Sequence, residues 1–146
     1  MAGESVDLKA LGRVVNRVAK AGADSLGVLG STGNYAYLSR EERRAVLEIA
    51  VEAASGGVPV LAGIGAVRTR DVLVFAADAQ NAGASALLLA PVSYQKLSEA
   101  EVFGLFDTVA AESDLPIVVY DNPAPPASPS AMTCTPGLPG FRELLP

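Results

Sequence analysis

A short glycine-rich segment carries the first side chains in this sequence that could do chemistry. Gly30-Ser31-Thr32-Gly33 places two hydroxyl groups between two glycines, directly after an apolar run. Because glycine leaves neighbouring backbone N–H groups unhindered, such a loop can direct several donors at a small anion, either a carboxylate or a phosphate. No lysine follows the second glycine, so the segment is not a nucleotide-binding phosphate loop. A plain glycine-rich turn explains the same residues equally well.

A tyrosine is the second candidate. Tyr120 ends another apolar run and stands directly before Asp121-Asn122-Pro123. A phenol at the end of a strand can donate or accept a proton above the edge of a sheet. From the residues alone, a packed ring with its hydroxyl in water is the favoured interpretation. Which interpretation holds depends on the elements that position the two candidates.

Four apolar runs, spaced about 30 residues apart, predict those elements. They cover residues 25–29, 58–62, 84–90 and 116–120. Continuous apolar runs are typical of parallel strands covered on both faces. Helical spacing of apolar residues fills the intervals, and three helix starts are predicted at Ser39 with Glu42, at Thr69, and at Ser98 with Glu101. The alternation predicts an α/β fold with a parallel sheet, in which loops after the strands carry function.

The composition excludes several classes of protein. The chain has 146 residues, half of them hydrophobic, and a net charge of −5, which argues for one packed domain and against a nucleic-acid partner. Histidine is absent and Cys134 is the only cysteine, so neither a histidine-based catalytic pair nor a metal site is expected, and no cofactor is expected. No signal peptide or membrane span is predicted, and the cysteine usage favours the cytoplasm.

Five segments of the chain form a specific series. They are Gly30-Ser31-Thr32-Gly33, Tyr37-Leu38-Ser39-Arg40-Glu41-Glu42-Arg43, Pro59-Val60-Leu61-Ala62-Gly63-Ile64-Gly65, Ala90-Pro91 and Val119-Tyr120-Asp121-Asn122-Pro123. In their order and spacing they resemble the dihydrodipicolinate synthase/N-acetylneuraminate lyase family, over residues 6–123. The resemblance implies a (β/α)8 TIM barrel, of which about four βα units are present here. It also implies a lyase or synthase that joins pyruvate, or a related 2-oxo acid, to a lysine as a Schiff base.

The resemblance assigns roles to both candidates. Ser31 and Thr32 match the pair that holds the substrate carboxylate, with Thr32 and Gly33 supplying backbone N–H donors. Ser31 also matches the hydroxyl that relays protons to the catalytic tyrosine, which Tyr120 matches. Asn34 stands where the family usually has glutamate. Val92 and the serine after it replace the paired aromatic residues of synthase-type members.

The imine-forming lysine of the family belongs to the strand after Tyr120, which this chain does not reach. Its three lysines are Lys9, Lys20 and Lys96, and none matches that position. We therefore expect a truncated member that is inactive alone. Residues 1–123 would form a partial TIM-barrel domain, and residues 124–146 a Pro-rich, disordered tail unlike the family.

Two other functions remain open. One is a module that binds a carboxylate or 2-oxo acid without forming an imine. The other is a half-barrel that pairs with a second copy, because four strands cannot close at eight-strand geometry. Since exposed strand edges invite pairing, we expect a homo-oligomer or an aggregation-prone chain.

Overall fold

The computed structural model describes residues 5–121, so the predicted tail over residues 124–146 lies outside the described part. In that part, four helices alternate with four strands. The helices are α1 (Leu8–Lys20), α2 (Arg40–Ala54), α3 (Thr69–Ala82) and α4 (Glu99–Glu112). The strands are β1 (Leu26–Val28), β2 (Val60–Gly63), β3 (Ala86–Leu89) and β4 (Ile117–Val119). The predicted alternation is confirmed, and every strand overlaps its apolar run.

The strands form one parallel sheet in the order β1-β2-β3-β4. Each strand pairs only with its neighbours in the sequence, and every pair is parallel. The predicted α/β class is therefore confirmed. Because all strands run the same way, the loops that follow them meet at the carboxyl edge of the sheet.

The two faces of the sheet differ in burial. On the face that the helices cover, Ala62, Leu87 and Leu89 are completely buried. Leu88 and Val118 are paired on the opposite face and are only half-buried. Within residues 5–121, this second face is apolar and has no covering helix.

Capping explains where two of the helices begin. The Ser39 hydroxyl accepts the Glu42 N–H and the Glu42 carboxylate accepts the Ser39 N–H at 2.8 Å, which is a complete capping box. Ser98 and Glu101 form the second box, as predicted. Thr69, however, is not a cap.

Helix α3 starts one residue earlier than that prediction allows. The Val72 N–H already donates to the carbonyl of Arg68 at 3.1 Å, so Arg68 is the capping position and its side chain makes no cap bond. Thr69 is therefore inside the first turn of α3. Among the helices of residues 5–121, none is long and apolar enough to cross a bilayer.

Candidate functional site

The glycine-rich loop after β1 folds as two successive 3-10 turns. The first turn covers Ser31–Gly33 and the second covers Tyr35–Tyr37. Asn34 joins them in the left-handed conformation, with φ of 53°. Asparagine tolerates this backbone better than glutamate does, because its short side chain bonds locally. The departure from the family pattern at position 34 thus suits the shape of this loop.

Ser31 and Thr32 are both exposed at the carboxyl edge of the sheet. The Gly33 N–H donates to the carbonyl of Gly30 at 2.9 Å, which closes the first turn. Of the two backbone donors that the resemblance implies, the Gly33 N–H is therefore already engaged. The Thr32 N–H comes before the first hydrogen bond of the turn, so the turn does not use it. The donors that remain for a carboxylate are chiefly this N–H group and the two hydroxyls.

Tyr120 lies at the same edge of the sheet, after the strand at the other end of the strand order. It directly follows β4, its backbone N–H donates to the Leu89 carbonyl at 2.9 Å, and it is 43% exposed. Strands β2 and β3 separate β4 from β1. The structure therefore brings Ser31, Thr32 and Gly33 together and leaves Tyr120 on the opposite edge strand.

A buried arginine contacts the loop after β1 and the end of β2. Arg43 of α2 is only 5% exposed, and its guanidinium donates to the Gly63 carbonyl at 2.9 Å and, more weakly, to the Gly65 carbonyl at 3.4 Å. The guanidinium lies 3.7 Å from the centroid of the Phe75 ring and 5.1 Å from that of Tyr35. Arg43 thus connects α2 and α3 with the loops after β1 and β2.

The charge of Arg43 has no carboxylate partner within residues 5–121. Burial lowers the pKa of its guanidinium from the ordinary value because water is excluded from the charged group. Arginine nevertheless keeps its proton in proteins. The carbonyl oxygens and the aromatic faces therefore take the place of a counter-ion.

Two glycines allow the strand ends to approach closely. A Cβ atom on Gly63 would stand 2.2 Å from the Leu29 carbonyl oxygen, a distance that no side chain tolerates. A Cβ atom on Gly65 would stand 3.3 Å from both the Tyr35 hydroxyl and Val92. The loops after β1, β2 and β3 therefore converge at Gly65.

An ion pair fixes α2 against α3 close to this region. Arg40 holds Asp78 through two hydrogen bonds of 2.8 Å, and the Asp78 carboxylate is 12% exposed. The hydrogen bonds from Arg40 lower the pKa of Asp78 from its ordinary value. Helices α2 and α3 are thus held together by this ion pair as well as by apolar packing.

Sequence reasoning missed Arg43, although a signal was present. Arg43 lies three and four residues before Val46 and Leu47, which are both buried. This spacing puts a cation on the apolar stripe of an amphipathic helix, where charges are rare unless they are bonded. Tyr35 offered no comparable signal.

The three lysines are all exposed, and none is buried among the converging loops after β1, β2 and β3. Lys9 and Lys20 are exposed on α1, and Lys96 is exposed in the loop after β3. A nucleophilic lysine needs a desolvated pocket or a nearby cation to lower its pKa. None of the three stands in such a pocket.

Comparisons with known proteins agree with the motifs. The profile of the dihydrodipicolinate synthetase family matches residues 2–131. The 4-hydroxy-tetrahydrodipicolinate synthase of Bacillus subtilis (strain 168) is 37% identical over 119 residues, which are 82% of this chain and 41% of that protein.

Two solved structures are also similar. The dihydrodipicolinate synthase of Agrobacterium tumefaciens C58 superposes with a TM-score of 0.78 at 47% identity, over 81% of this chain and 40% of that one. YagE, a prophage protein of Escherichia coli K12 that was crystallised in complex with pyruvate, gives 0.79 at 33% identity, over 84% of this chain and 41% of its own.

The chain spans about 40% of the length of the relatives it matches. Because the relatives are TIM barrels, β1 to β4 with their helices are consecutive units of such a barrel, which confirms the predicted partial barrel. The fold, the order of the motifs and these similarities lead to one conclusion: the chain belongs to the dihydrodipicolinate synthetase family of enzymes.

Proposed function

We propose that the loop at Ser31–Gly33 binds the carboxylate of pyruvate or a related 2-oxo acid, as part of a Schiff-base lyase or synthase site. The observation that carries this proposal is a pair of exposed hydroxyls on a compact turn at the carboxyl edge of a parallel sheet. The pyruvate complex of YagE supports the choice of ligand. The contact of Arg43 with Tyr35, which follows the turn, and its hydrogen bond to the Gly63 carbonyl support the loop as a preformed site.

The donors set the strength of binding. A carboxylate accepts hydrogen bonds from the Ser31 and Thr32 hydroxyls and from the Thr32 N–H. Each neutral bond is worth about 0.5–1.5 kcal/mol net, and more when the acceptor is charged. With no cation in the loop, the expected affinity is about millimolar, or −4 kcal/mol.

Tyr120 has the role of proton shuttle in this proposal. Its phenol would move a proton to and from the substrate oxygen, with the Ser31 hydroxyl as relay. The sheet order leaves these two groups on opposite edge strands, so the curvature of the barrel has to bring them toward each other.

We also propose that this chain forms no imine by itself. All three lysines are exposed, so none lies in the desolvated pocket that an imine-forming lysine needs. The chain would then act as a carboxylate-binding module without turnover. A cytoplasmic location and the absence of nucleic-acid or membrane partners stay predictions from the composition.

Calorimetric titration with pyruvate tests the binding site. We expect weak binding that the double variant Ser31→Ala, Thr32→Ala abolishes. The matched control is Ser25→Ala, Ser85→Ala, which removes exposed hydroxyls from the opposite ends of β1 and β3. Equal affinity of the wild type and the first double variant would show that the loop is not the site.

Borohydride reduction in the presence of pyruvate distinguishes a chain that forms an imine from one that only binds the carboxylate. Reduction traps only an imine, so mass spectrometry should find every lysine unmodified in this chain. A pyruvate-derived mass on any lysine would assign imine chemistry to the chain itself, with Lys96 the residue to inspect first because it lies on the functional edge.

A further inference from the structure

One donor of the buried Arg43 guanidinium has no protein acceptor in the part of the chain that the structure describes. The two terminal nitrogens donate to the Gly63 and Gly65 carbonyls. Among the buried side-chain nitrogen and oxygen atoms of residues 5–121, the Nε of Arg43 is the one that no acceptor reaches. Buried polar groups are nearly always bonded, either to protein or to ordered water. The Nε–H therefore needs a small acceptor beside it.

A small cavity adjoins Arg43 between the sheet and the helices α2 and α3. Its volume is about 10 Å³, close to the least space that holds one water molecule. The whole lining comes from residues 29–78. Its apolar part is formed by Leu29, Leu47, Ala62, Ile64 and Phe75. Its polar part comes from Arg43, Arg44, Gly63 and Asp78, and the chemistry of these few groups decides which ligand fits.

Asp78 reaches the cavity from α3. Its mostly buried carboxylate accepts one hydrogen bond from Arg40 on each oxygen. A carboxylate has about four acceptor positions, so both oxygens can accept again. Arg43 and Asp78 line the same cavity without pairing directly, since none of the three ion pairs within residues 5–121 joins them. The cavity thus lies between an unpaired donor and a carboxylate that has acceptor capacity to spare.

The charges of the lining select among small ligands. A halide ion would accept the Nε–H of Arg43, but it would share the cavity with the Asp78 carboxylate, and like charges repel strongly where water is excluded. A cation would meet the guanidinium in the same way. A neutral ligand that accepts one hydrogen bond and donates others suits both groups. Water has this chemistry and the right size.

We propose that the cavity holds one water molecule, which accepts the Nε–H of Arg43 and donates to the Asp78 carboxylate. A backbone carbonyl of the lining, at Leu29 or Gly63, accepts its second hydrogen, which gives the three bonds typical of a buried water. The water completes a polar chain that runs from Arg40 through Asp78 to Arg43 and ends at the Gly63 carbonyl. It connects α2 with α3 in addition to the direct ion pair.

A high-resolution crystal structure of the complete 146-residue chain tests the occupant directly. Growth of the crystals from sodium bromide distinguishes a halide from water, because bromide scatters X-rays anomalously and water does not. We expect one peak within hydrogen-bond distance of both the Arg43 Nε and an Asp78 oxygen, without an anomalous signal. An anomalous peak would show an anion in the cavity, and a cavity without density would be dry. Either result overturns the proposal.

Nuclear magnetic resonance tests the same water in solution. The Hε proton of Arg43, assigned by its loss in Arg43→Lys, should show a cross-relaxation peak to a long-lived water. It should also exchange with solvent about tenfold or more slowly than the Hε proton of the exposed Arg44, which excludes proton exchange as the source of the peak. A folded wild type without this peak would contradict the proposal.

Three variants separate the water from the ion pair. Asp78→Ala removes an acceptor of the water and also breaks the pair with Arg40, so the cross-relaxation peak should disappear. Arg40→Ala breaks the pair but keeps both partners of the water, and Asp78→Asn keeps an acceptor oxygen, so both should retain the peak. The matched control is Asp71→Ala, the same change in the first turn of α3, which should leave the peak unaltered.

The two alanine variants decide whether Asp78 is the partner. A peak that persists in folded Asp78→Ala, or one that is lost in folded Arg40→Ala, would overturn the bridge between Arg43 and Asp78. If Asp78→Ala does not fold, the wild-type crystal and the Arg40→Ala spectrum still decide, because each can contradict the proposal without that variant.

Discussion

Removing the buried guanidinium of Arg43 should destabilise the chain in a way that reveals its role. Arg43→Ala removes the bonds to the Gly63 and Gly65 carbonyls, the stacking on Phe75 and Tyr35, and the packing of the side-chain stem. Arg43→Met keeps most of the stem and removes only the charged donors. Comparing the two separates packing from hydrogen bonding.

The expected size follows from the contacts. A charged donor to a carbonyl contributes about 1.5–3 kcal/mol, and a desolvated cation on an aromatic face about 2 kcal/mol. The desolvation cost of a buried cation opposes both, and either variant relieves it. We therefore expect Arg43→Ala to lower the free energy of unfolding by about 2–4 kcal/mol and Arg43→Met by about 1–2 kcal/mol.

Urea unfolding followed by far-ultraviolet circular dichroism measures both variants, at one fixed protein concentration because self-association would shift the midpoint. The control is Arg44→Ala, an exposed neighbour that pairs with Glu48 on the surface of α2, which should change stability by less than about 0.5 kcal/mol. If Arg43→Met were as stable as the wild type or more stable, the bonds to the carbonyls would not hold the loops, and this account of Arg43 would be refuted.

Three further changes test other parts of the structure. Asp78→Asn should flatten the acid limb of the plot of unfolding free energy against pH. The hydrogen bonds from Arg40 lower the pKa of Asp78, so the ion pair stabilises the fold at pH values above the ordinary pKa of 3.8. That stabilisation is lost as the pH falls through the lower pKa of the folded state. Acid titrations of both proteins check it. Ser39→Ala and Ser98→Ala should each cost about 1 kcal/mol in thermal unfolding, since each removes a helix cap. Gly63→Ala should cost about 1–3 kcal/mol through its clash with the end of β1, whereas Gly27→Ala, with no atom within 4 Å, should not clash.

Local patterns were sufficient to predict the alternation of helices and strands and the parallel sheet, whereas the barrel was implied by the family resemblance. The apolar runs and the two capping boxes depend on residues within a few positions of each other, so the strands and the starts of α2 and α4 could be predicted directly. Thr69 failed as a cap because the chain enters α3 at Arg68. That choice depends on how the loop after β2 leaves the sheet, which spacing does not encode.

The candidate site was only partly predictable for a related reason. The hydroxyls of Ser31 and Thr32 follow each other in the chain, so their proximity was certain. Their relation to Tyr120 depends on the order and curvature of the sheet, and the support from Arg43 depends on carbonyl groups about 20 residues away. The turn that engages the Gly33 N–H ends at the left-handed Asn34, a conformation that the residue permits without requiring it.

The strand order also sets a direction of assembly. Each later strand of the described sheet pairs with the strand made immediately before it, so every strand pairing spans one connecting helix. During synthesis, a nascent chain that has emerged through β3 already contains every partner that β1 and β2 have in the described sheet. Only β4 has to be added, and it adds at the exposed side of β3. Within residues 5–121, the sheet can therefore grow strand by strand from the N-terminus during translation.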